Sequence, residues 1–479
     1  MGVMRLWSAA ALVVSVTLPF CSAATAGGWF KSRHDGLTRK AEWELRRADV
    51  DKYLSAFIPS SSEPFATDWT QHAFDSEGGD GPICISGSDY SVFTKEGDPE
   101  KLIIFLQGGG ACWEGAANCF TNVEEQVPPS ADELPGLFAQ SSPDGTIDND
   151  LADWSVVYMP YCDGSVFGGD NAIEDDPDFG TRHHRGLRNL SAGMDVAQSV
   201  FGDPEKILIA GSSAGGVGSA VFAPFLARFL YGNDVGLYVY NDAGPVALDP
   251  SLVRAAARAR RDDWQFDQFY PRSCVRQGLC DPLGDASGII RWRLDNDRTI
   301  QESFYSTDAD ETNIFFVSLN IPGIIPIRFV DQARYRGILD TVHQPLHDAH
   351  PERYKRYIVS GGNPLCDGFI AYAHTAAQGG AVDEERCPDT DRFYDLTAEG
   401  VPLWAWANAF VQSDIDPKPW KRPWFWRDRG FFYGGVGQVG VPWWALLDDD
   451  DGDESAVWID VVEPFVTAPP RLTFPASAQ

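Results

Sequence analysis

The sequence predicts an α/β fold in which a mostly parallel central sheet is covered by helices on both faces. Continuous apolarity is typical of strands that are buried on both faces. Helix-like segments such as "SAVFAPFLARFL" separate the apolar runs, as the crossover helices of a parallel sheet do. The six runs are "KLIIFLQ" at 101–107, "WSVVYMPYC" at 154–162, "KILIAG" at 206–211, "GLYVYND" at 236–242, "NIFFVSL" at 313–319 and "RYIVSGG" at 356–362.

The N-terminus has the composition of an export signal. Arg5 precedes an apolar run that ends at Phe20, and small residues follow at 24–26. This order predicts a signal peptide over residues 1–26 that is removed on secretion or export to a periplasm. Phe20 stands where a lipoprotein signal before Cys21 needs a small residue, so we expect no lipid anchor. No later run is long and apolar enough to predict a transmembrane segment.

Composition divides the remaining chain into a main part and a tail. Residues 27–415 are predicted to form one α/β domain, and residues 416–479 an extension that packs on it. Nine aromatic residues lie between Trp420 and Trp444. Packing over the sheet is the preferred interpretation, and a flat platform for a sugar or an aromatic ligand is the alternative.

Charge narrows the range of partners. The chain carries 38 basic and 69 acidic residues, a net charge of −31, which argues against a nucleic-acid partner because phosphate would be repelled. The acidic run at 448–454 resembles half of a calcium loop. Leu447 and Trp458 occupy its first and last ligand positions, so we expect a solvated loop and no metal. Composition leaves the oligomeric state open.

Cysteine content favours disulfides. Nine cysteines minus Cys21 of the signal leave eight, an even number in an exported chain. Short spacing suggests two pairs, Cys112 with Cys119 and Cys274 with Cys280. A zinc site is not expected, because no CxxC pair occurs.

One motif predicts a nucleophile. Residues 211–215, "GSSAG", fit the pattern G-x-S-x-G with Ser213 at its centre, between a predicted strand and a predicted helix. Small residues two positions before and after the nucleophile let the chain turn sharply. Ser212 has Ala210 and Ala214 at these positions, so it is interpreted as a spacer. Ser213 is the candidate nucleophile.

Backbone N–H groups near this serine predict an oxyanion hole. Ala214 begins the predicted helix and offers an N–H at the positive end of the helix dipole. The run "IIFLQGGGACW" ends a predicted strand in three glycines, and such a loop presents bare backbone donors. Gly109 and Gly110 are the candidate donors there.

Three blocks together resemble a known family. The segments "FLQGGGACWEGAANC", "YMPYCDGSVFGG" and "LIAGSSAGGVGS" are similar to the pectin acetylesterase and Notum family of serine carboxylesterases. The resemblance spans residues 65–410 and implies an α/β-hydrolase core that needs no cofactor. Many members have Trp where this chain has Gly110. The resemblance also implies the disulfides Cys112–Cys119, Cys84–Cys162 and Cys366–Cys387.

The base and acid are sought downstream of Ser213, because hydrolases of this fold order their triad as Ser, acid, His. His374, in "CDGFIAYAHTAAQGG", follows the last predicted strand and resembles the "HT" motif of the family, so it is the candidate base. The other three downstream histidines lie at helical spacing in "HQPLHDAH". We interpret them as a surface helix rather than a metal site.

Two carboxylates compete for the role of acid. Asp331, in "RFVDQARY", follows the predicted strand at 313–319 and resembles the family aspartate in a "D-x-A" setting. Asp242, in "VYNDAGP", also ends a predicted strand and is the alternative. Asp331 is preferred. Either carboxylate would fix the imidazole tautomer of the base.

The sequence therefore predicts a secreted serine carboxylesterase, and the resemblance implies that an acetylated polysaccharide is its substrate. The first alternative keeps the triad but hydrolyses a lipid or aromatic ester, and the second is a non-catalytic glycan-binding protein. Trp113 and Tyr161 adjoin the oxyanion block and the "PYC" block. They are interpreted equally as lining of the substrate pocket or as core.

Overall fold

The computed structural model describes most of the chain between residue 36 and residue 430, and the described residues all lie in one unit, His34–Gln479. They are 36–66, 68–75, 79–114, 136–244, 254–318, 330–359, 363–365, 369–371, 374–379, 391–412 and 429–430. The predicted signal peptide and almost all of the aromatic-rich tail lie outside these residues, as does the acidic run at 448–454.

Sixteen strands occur in the described residues. They are β1 (Ser61–Ala66), β2 (Trp69–Phe74), β3 (Tyr90–Lys95), β4 (Asp98–Leu106), β5 (Trp154–Met159), β6 (Asn171–Asp176), β7 (Gly180–His184), β8 (Lys206–Ser212), β9 (Gly236–Asp242), β10 (Gln301–Thr307), β11 (Tyr354–Val359), β12 (Asn363–Leu365), β13 (Phe369–Ala371), β14 (Thr397–Ala398), β15 (Val401–Pro402) and β16 (Arg429–Gly430).

Eleven α-helices accompany them in the same part of the chain. They are α1 (Arg39–Arg47), α2 (Gly186–Val200), α3 (Ala214–Val221), α4 (Ala223–Tyr231), α5 (Arg254–Trp264), α6 (Arg272–Arg276), α7 (Ser287–Asn296), α8 (Glu311–Ser318), α9 (Gln332–Ala349), α10 (Arg392–Asp395) and α11 (Leu403–Gln412), with short 3-10 turns at Gly136–Phe138 and Phe266–Phe269.

Ten strands form the central sheet, in the order β1-β2-β3-β5-β4-β8-β9-β10-β11-β16. The pairs from β1 to β5 are antiparallel, and every later pair in that order is parallel. The prediction of a mostly parallel sheet in an α/β-hydrolase-like fold is therefore confirmed. The carboxyl ends of β4, β8, β9, β10 and β11 meet at one edge, where open α/β sheets hold their sites.

Both faces of the sheet are buried, as the continuous apolar runs predict. Along β4, Leu102 and Ile104 belong to one apolar core, whereas Ile103 and Phe105 belong to another on the opposite face. This alternation follows from the two-residue period of a strand. Helices α2, α3 and α4 contribute to the first core, and α11 contributes to the second.

One predicted strand is wrong, and one observed strand was not predicted because its sequence is mostly polar. Residues 313–318 lie in α8, whereas the strand beside β9 is β10, with the sequence "QESFYST". Every residue of β10 is buried, although five of its seven side chains are polar or charged. Glu302 accepts two hydrogen bonds from Arg293, at 2.9 and 2.6 Å, and Ser303 donates to the carbonyl of Val239 at 3.0 Å. Distant partners thus make a polar strand tolerable in the core.

Two of the predicted disulfides are present. Cys84 is bonded to Cys162, across 78 residues of sequence, and Cys274 is bonded to Cys280. The other predicted pairs, Cys112–Cys119 and Cys366–Cys387, fall outside the described residues because Cys119, Cys366 and Cys387 do.

No single helix among the described residues is both long enough and apolar enough to cross a bilayer. Helices α3 and α4 meet the length and apolarity of a span only when they are taken together, and a 46° bend separates them.

Candidate active site

Ser213 occupies a strained turn between β8 and α3. Its φ and ψ are 53° and −116°, a left-handed conformation that costs a non-glycine residue about 1–3 kcal/mol. Its backbone N–H donates to the carbonyl of Asp242 at 2.8 Å, and its carbonyl accepts from the N–H of Val217 at 3.1 Å. Such a strand-turn-helix geometry projects the serine side chain at the edge of the sheet.

The two motif glycines are required by close packing. A Cβ added to Gly211 would lie 2.3 Å from the carbonyl oxygen of Gly215. A Cβ added to Gly215 would lie 2.0 Å from the carbonyl oxygen of Leu106, at the end of β4. Neither approach is possible for a side chain, so only glycine at both positions lets β8 turn beside β4.

The glycine loop after β4 lies directly against this turn. A Cβ on Gly108 would be 2.7 Å from the carbonyl oxygen of Ser212. Gly110 has a φ of 72°, in the left-handed region, and lines the same cavity as Ser213 and Ala214. Because α3 begins at Ala214, its first N–H groups lack helical acceptors. The structure therefore brings two of the three predicted donors, Gly110 and Ala214, to the wall of one cavity with the serine.

The carboxylate that contacts His374 is Asp310. The imidazole Nδ1 of His374 lies 2.9 and 2.8 Å from the two carboxylate oxygens of Asp310. The side chain of Asp310 is fully buried in the loop between β10 and α8. Asn313 also donates to it, from its backbone N–H and from its side-chain amide, both at 2.8 Å. The amide of Asn313 reaches on to the carbonyl of Ala243 at 2.9 Å, and this fixes the loop to the end of β9.

The preference for Asp331 as the acid is not supported by these contacts. Asp331 is exposed and caps α9, where its side chain accepts a hydrogen bond from the N–H of Arg334 at 2.7 Å. The preference for Asp331 depends on the predicted strand at 313–319, which is apolar enough to resemble a strand. Residues 313–318 instead lie in α8, and the loop that follows β10 carries Asp310.

The environment of His374 suits a general base. Burial disfavours the imidazolium, but the carboxylate of Asp310 outweighs burial and raises the pKa of His374 above its usual 6.5, with a further contribution from Asp242. Because Nδ1 is bonded to Asp310, the proton-accepting nitrogen is Nε2. Within the described residues this Nε2 is buried and makes no hydrogen bond, with Ser213 Oγ or with any other group. Such bonds often tighten only when substrate is present.

Asp242 connects the histidine loop to the serine turn. Its carboxylate accepts from the hydroxyl of Ser212 at 2.6 Å and from the N–H groups of Ala376 and Ala377 at 2.9–3.1 Å. Asp242 is fully buried, and burial raises its pKa, although all of these donors oppose the shift. Asp242, the alternative candidate for the acid, is therefore bonded to Ser212 and to the loop that carries His374, and not to the imidazole.

A largely apolar cavity opens at Ser213. Its empty volume is about 920 Å³, open solvent included. Trp113 lies in its wall, 4% exposed, with its ring edge-on to that of Trp264. Tyr161 is buried beneath the glycine loop, and a Cβ on Gly109 would be 2.5 Å from its ring. Of the two pocket candidates, the structure therefore places Trp113 at the cavity, whereas Tyr161 is not among the lining residues.

Among the residues that the structure describes, no group of three or more His, Cys, Asp or Glu side chains could hold a metal ion. The histidines of α9 are not simply a surface feature, because His343 is fully buried and stacks on Phe304 with ring centroids 3.8 Å apart. His347 and His350 make hydrogen bonds to Tyr354 and Asp295.

Comparison with known proteins gives one family match and several similar solved structures. Residues 66–253 match the family model described as Pectinacetylesterase. No curated protein matches the chain. Two crystal forms of the Wnt deacylase Notum from Drosophila are among the similar solved structures. The first has a TM-score of 0.47 and 14% identity over 74% of this chain and 93% of that one. The second has a TM-score of 0.47 and 15% identity over 70% of this chain and 91% of that one.

The matched segment contains the glycine loop, the serine turn and Asp242, whereas Asp310 and His374 lie beyond it. The resemblance predicted from the sequence is therefore confirmed, since residues 66–253 of this chain are similar to the Pectinacetylesterase family.

Proposed function

We propose that the enzyme is a secreted serine carboxylesterase that uses Ser213, His374 and Asp310 as a catalytic triad. The observation that supports it best is the contact between buried Asp310 and His374, because Asp242 connects the loop that carries His374 to Ser212 of the serine turn. The pair leaves Nε2 of His374 as the only imidazole nitrogen able to accept the serine proton.

The mechanism follows from these positions. His374 Nε2 takes the proton of Ser213 Oγ as that oxygen attacks the ester carbonyl, and Asp310 stabilises the resulting imidazolium. The N–H groups of Gly109, Gly110 and Ala214 are the proposed donors to the oxyanion, each worth about 3 kcal/mol in related hydrolases. His374 then gives the proton to the departing alcohol. Water, activated by the same imidazole, releases the acid from the acyl-enzyme.

The test compares hydrolysis of p-nitrophenyl acetate by the wild type, Ser213→Ala and Ser212→Ala. We expect Ser213→Ala to lose at least about 1,000-fold in kcat, as removal of a catalytic serine does elsewhere. Ser212→Ala is the matched control, because it deletes the neighbouring hydroxyl, and we expect its loss to stay within about 10-fold. Equal rates for wild type and Ser213→Ala would refute the proposal, and rates no higher than uncatalysed hydrolysis in both would leave the non-catalytic glycan-binding alternative.

The lining of the cavity favours an acyl group larger than acetyl. The sequence resemblance implies an acetylated polysaccharide, and an acetyl group needs only a small pocket. Apolar and aromatic side chains nevertheless surround the nucleophile, among them Val217, Val221, Phe222 and Phe316. Burial of one methylene group is worth about 0.8 kcal/mol, so each added carbon should raise kcat/KM about 4-fold until the cavity is full. We therefore propose a lipid or aromatic ester as substrate before a polysaccharide acetate.

A chain-length profile decides between these substrates. Esters from acetate to long acyl chains are compared at constant alcohol, with acetylated pectin and acetylated xylan alongside. Rising kcat/KM beyond acetate supports the apolar acyl group. A maximum at acetate together with release of acetate from either polysaccharide would restore the polysaccharide assignment.

Export is the remaining part of the proposal. The disulfides Cys84–Cys162 and Cys274–Cys280 are those of a protein that folds in an oxidising compartment, in agreement with the signal predicted over residues 1–26. Intact-mass measurement of the protein exported by its host should give a chain that starts near Gly27. An exported chain that retains residues 1–26 would contradict the predicted cleavage.

A further inference from the structure

Two charged residues, Arg260 and Asp285, are among the described residues that line the cavity at Ser213, where most other side chains are apolar or aromatic. Arg260 lies on α5, and Asp285 lies two residues before the start of α7. Both line the cavity that Ser213 also lines, together with Trp264 and Tyr270. The triad mechanism uses neither charge, so their presence at this wall needs its own explanation.

Arg260 is half-buried, and its contacts differ from those of the arginines buried in the core. Arg228 is bonded to Asp297 at 2.7 Å, and Arg293 is bonded to Glu302 at 2.6 Å, as is usual for guanidinium groups in a protein core. Within the described part of the chain, Arg260 makes no hydrogen bond and no ion pair. Its guanidinium carbon lies 5.8 Å from the ring centroid of Trp264. No described residue therefore accepts a hydrogen bond from its N–H donors, and the side chain lines the cavity.

One carboxylate oxygen of Asp285 likewise makes no hydrogen bond to a described residue. Its Oδ1 accepts from the backbone N–H of Ser287 at 2.8 Å and from the Ser287 hydroxyl. Its Oδ2 takes no hydrogen bond from any described residue. Burial raises the pKa of Asp285, and the charge of Arg260 opposes that shift. Burial likewise lowers the pKa of Arg260, against the charges of Tyr270 and Asp285. The two groups are thus near enough to interact, yet they form no ion pair with each other.

We propose that Arg260 and Asp285 form a subsite for a neutral, hydroxyl-bearing group of the ester substrate, an inference that rests on the proposed carboxylesterase function. A hydroxyl oxygen accepts from the guanidinium, and its hydrogen is donated to the free carboxylate oxygen. An anionic group would be opposed by Asp285 and a cationic group by Arg260, so the pair selects a neutral donor-acceptor. The hydroxyl belongs either to the acyl chain or to the alcohol, since both meet at Ser213.

The subsite predicts that the enzyme distinguishes an ester with one added hydroxyl from the same ester without it. Hydrogen bonds to charged groups correspond to about 10-fold to 100-fold in affinity. A substrate that lacks the hydroxyl leaves both charges unpaired, and such sites discriminate strongly against the deficient analogue. The ratio of kcat/KM for a hydroxylated ester to that of its plain counterpart is therefore the informative quantity, because it cancels any general loss of activity.

Two pairs of esters distinguish the two sources of the hydroxyl. The acyl arm compares p-nitrophenyl 6-hydroxyhexanoate with p-nitrophenyl hexanoate. The alcohol arm compares 6-hydroxyhexyl hexanoate with hexyl hexanoate. The variants are Arg260→Met and Asp285→Asn, with Arg258→Met as the matched control, because Arg258 is exposed on the same helix. Arg260→Lys is added in case loss of the guanidinium impairs folding, which thermal unfolding reports.

We expect wild type to prefer the hydroxylated ester at least 10-fold in one arm. Arg260→Met and Asp285→Asn should abolish that preference, whereas Arg258→Met should keep it. A preference in the acyl arm assigns the hydroxyl to the acyl chain, and one in the alcohol arm assigns it to the alcohol. Ser213-dependent hydrolysis with no preference in either arm, or with a preference that survives both substitutions, overturns the subsite alone. Hydrolysis that persists in Ser213→Ala overturns the proposed function, and the subsite with it.

Discussion

Replacement of Asp310 by Asn should separate orientation of the imidazole from its burial. The two side chains have nearly the same size, so the packing of the loop between β10 and α8 is retained. What changes is the pattern of donors and acceptors. His374 Nδ1 and both Asn313 donors now share two carboxylate oxygens, at 2.8–2.9 Å. An asparagine offers one oxygen and one NH₂ group in their place.

Every orientation of the new amide creates a conflict. If NH₂ replaces Oδ1, it faces the backbone N–H of Asn313, and if it replaces Oδ2, it faces the side-chain amide of Asn313. Rotation of the Asn313 amide would relieve the second conflict only by giving up its bond to the carbonyl of Ala243. In either orientation the NH₂ group lies beside His374 Nδ1 and favours the tautomer that carries hydrogen on Nε2. That tautomer cannot accept the proton of Ser213.

We expect Asp310→Asn to lower kcat about 10,000-fold, about 5.5 kcal/mol of transition-state stabilisation, as the same change does in other serine hydrolases. Asp331→Asn is the control, because Asp331 is exposed at the start of α9, and we expect its kcat to stay within about 2-fold of wild type. Steady-state hydrolysis of p-nitrophenyl acetate measures both. An Asp310→Asn enzyme within 10-fold of wild type, or an equal loss in Asp331→Asn, would refute the assignment of the acid.

Three further outcomes follow from the same geometry. Asp242→Asn should lower kcat about 10-fold to 100-fold with little change in KM, because one acceptor oxygen is lost from the bonds to Ala376; an unchanged kcat would contradict its positioning role. The acid limb of the kcat/KM profile should have its midpoint above pH 6.5, since catalysis needs neutral His374 and Asp310 outweighs burial to raise that pKa; a midpoint below 6.5 would count against it. Arg293→Met should cost about 3–5 kcal/mol in urea unfolding by leaving Glu302 unpaired in the core, and a loss under 1 kcal/mol would contradict the pairing.

The local sequence pattern was sufficient to predict the turn at Ser213 and the glycine loop beside it. The run at 206–211 is apolar on both faces of β8, and the spacing of Gly211 and Gly215 follows from contacts within the turn and with β4. These contacts involve residues that are close in sequence or on an adjacent strand with its own apolar signal. For this reason Ser213 and the loop at Gly110 could be located without knowledge of the fold.

The carboxylate that contacts His374 could not be located in that way, because its position depends on a strand without an apolar pattern. Glu302 of β10 is tolerable in the core only through Arg293, and Arg293 lies on another element, α7. No local window contains both the charge and the environment that neutralises it. The sequence window at 313–318 has the opposite property, since it is apolar enough for a strand but folds as α8. The order of the strands, with β10 beside β9, is the information that leads to Asp310.

The central claim is that Ser213 forms the acyl-enzyme, and covalent labelling tests it most directly. The enzyme is treated with a fluorophosphonate, digested, and its peptides are sequenced by mass spectrometry, which distinguishes Ser212 from Ser213. We predict one label per chain on Ser213 in the wild type and in Ser212→Ala, and none in Ser213→Ala. A label on Ser212, or labelling that persists in Ser213→Ala, would contradict the claim.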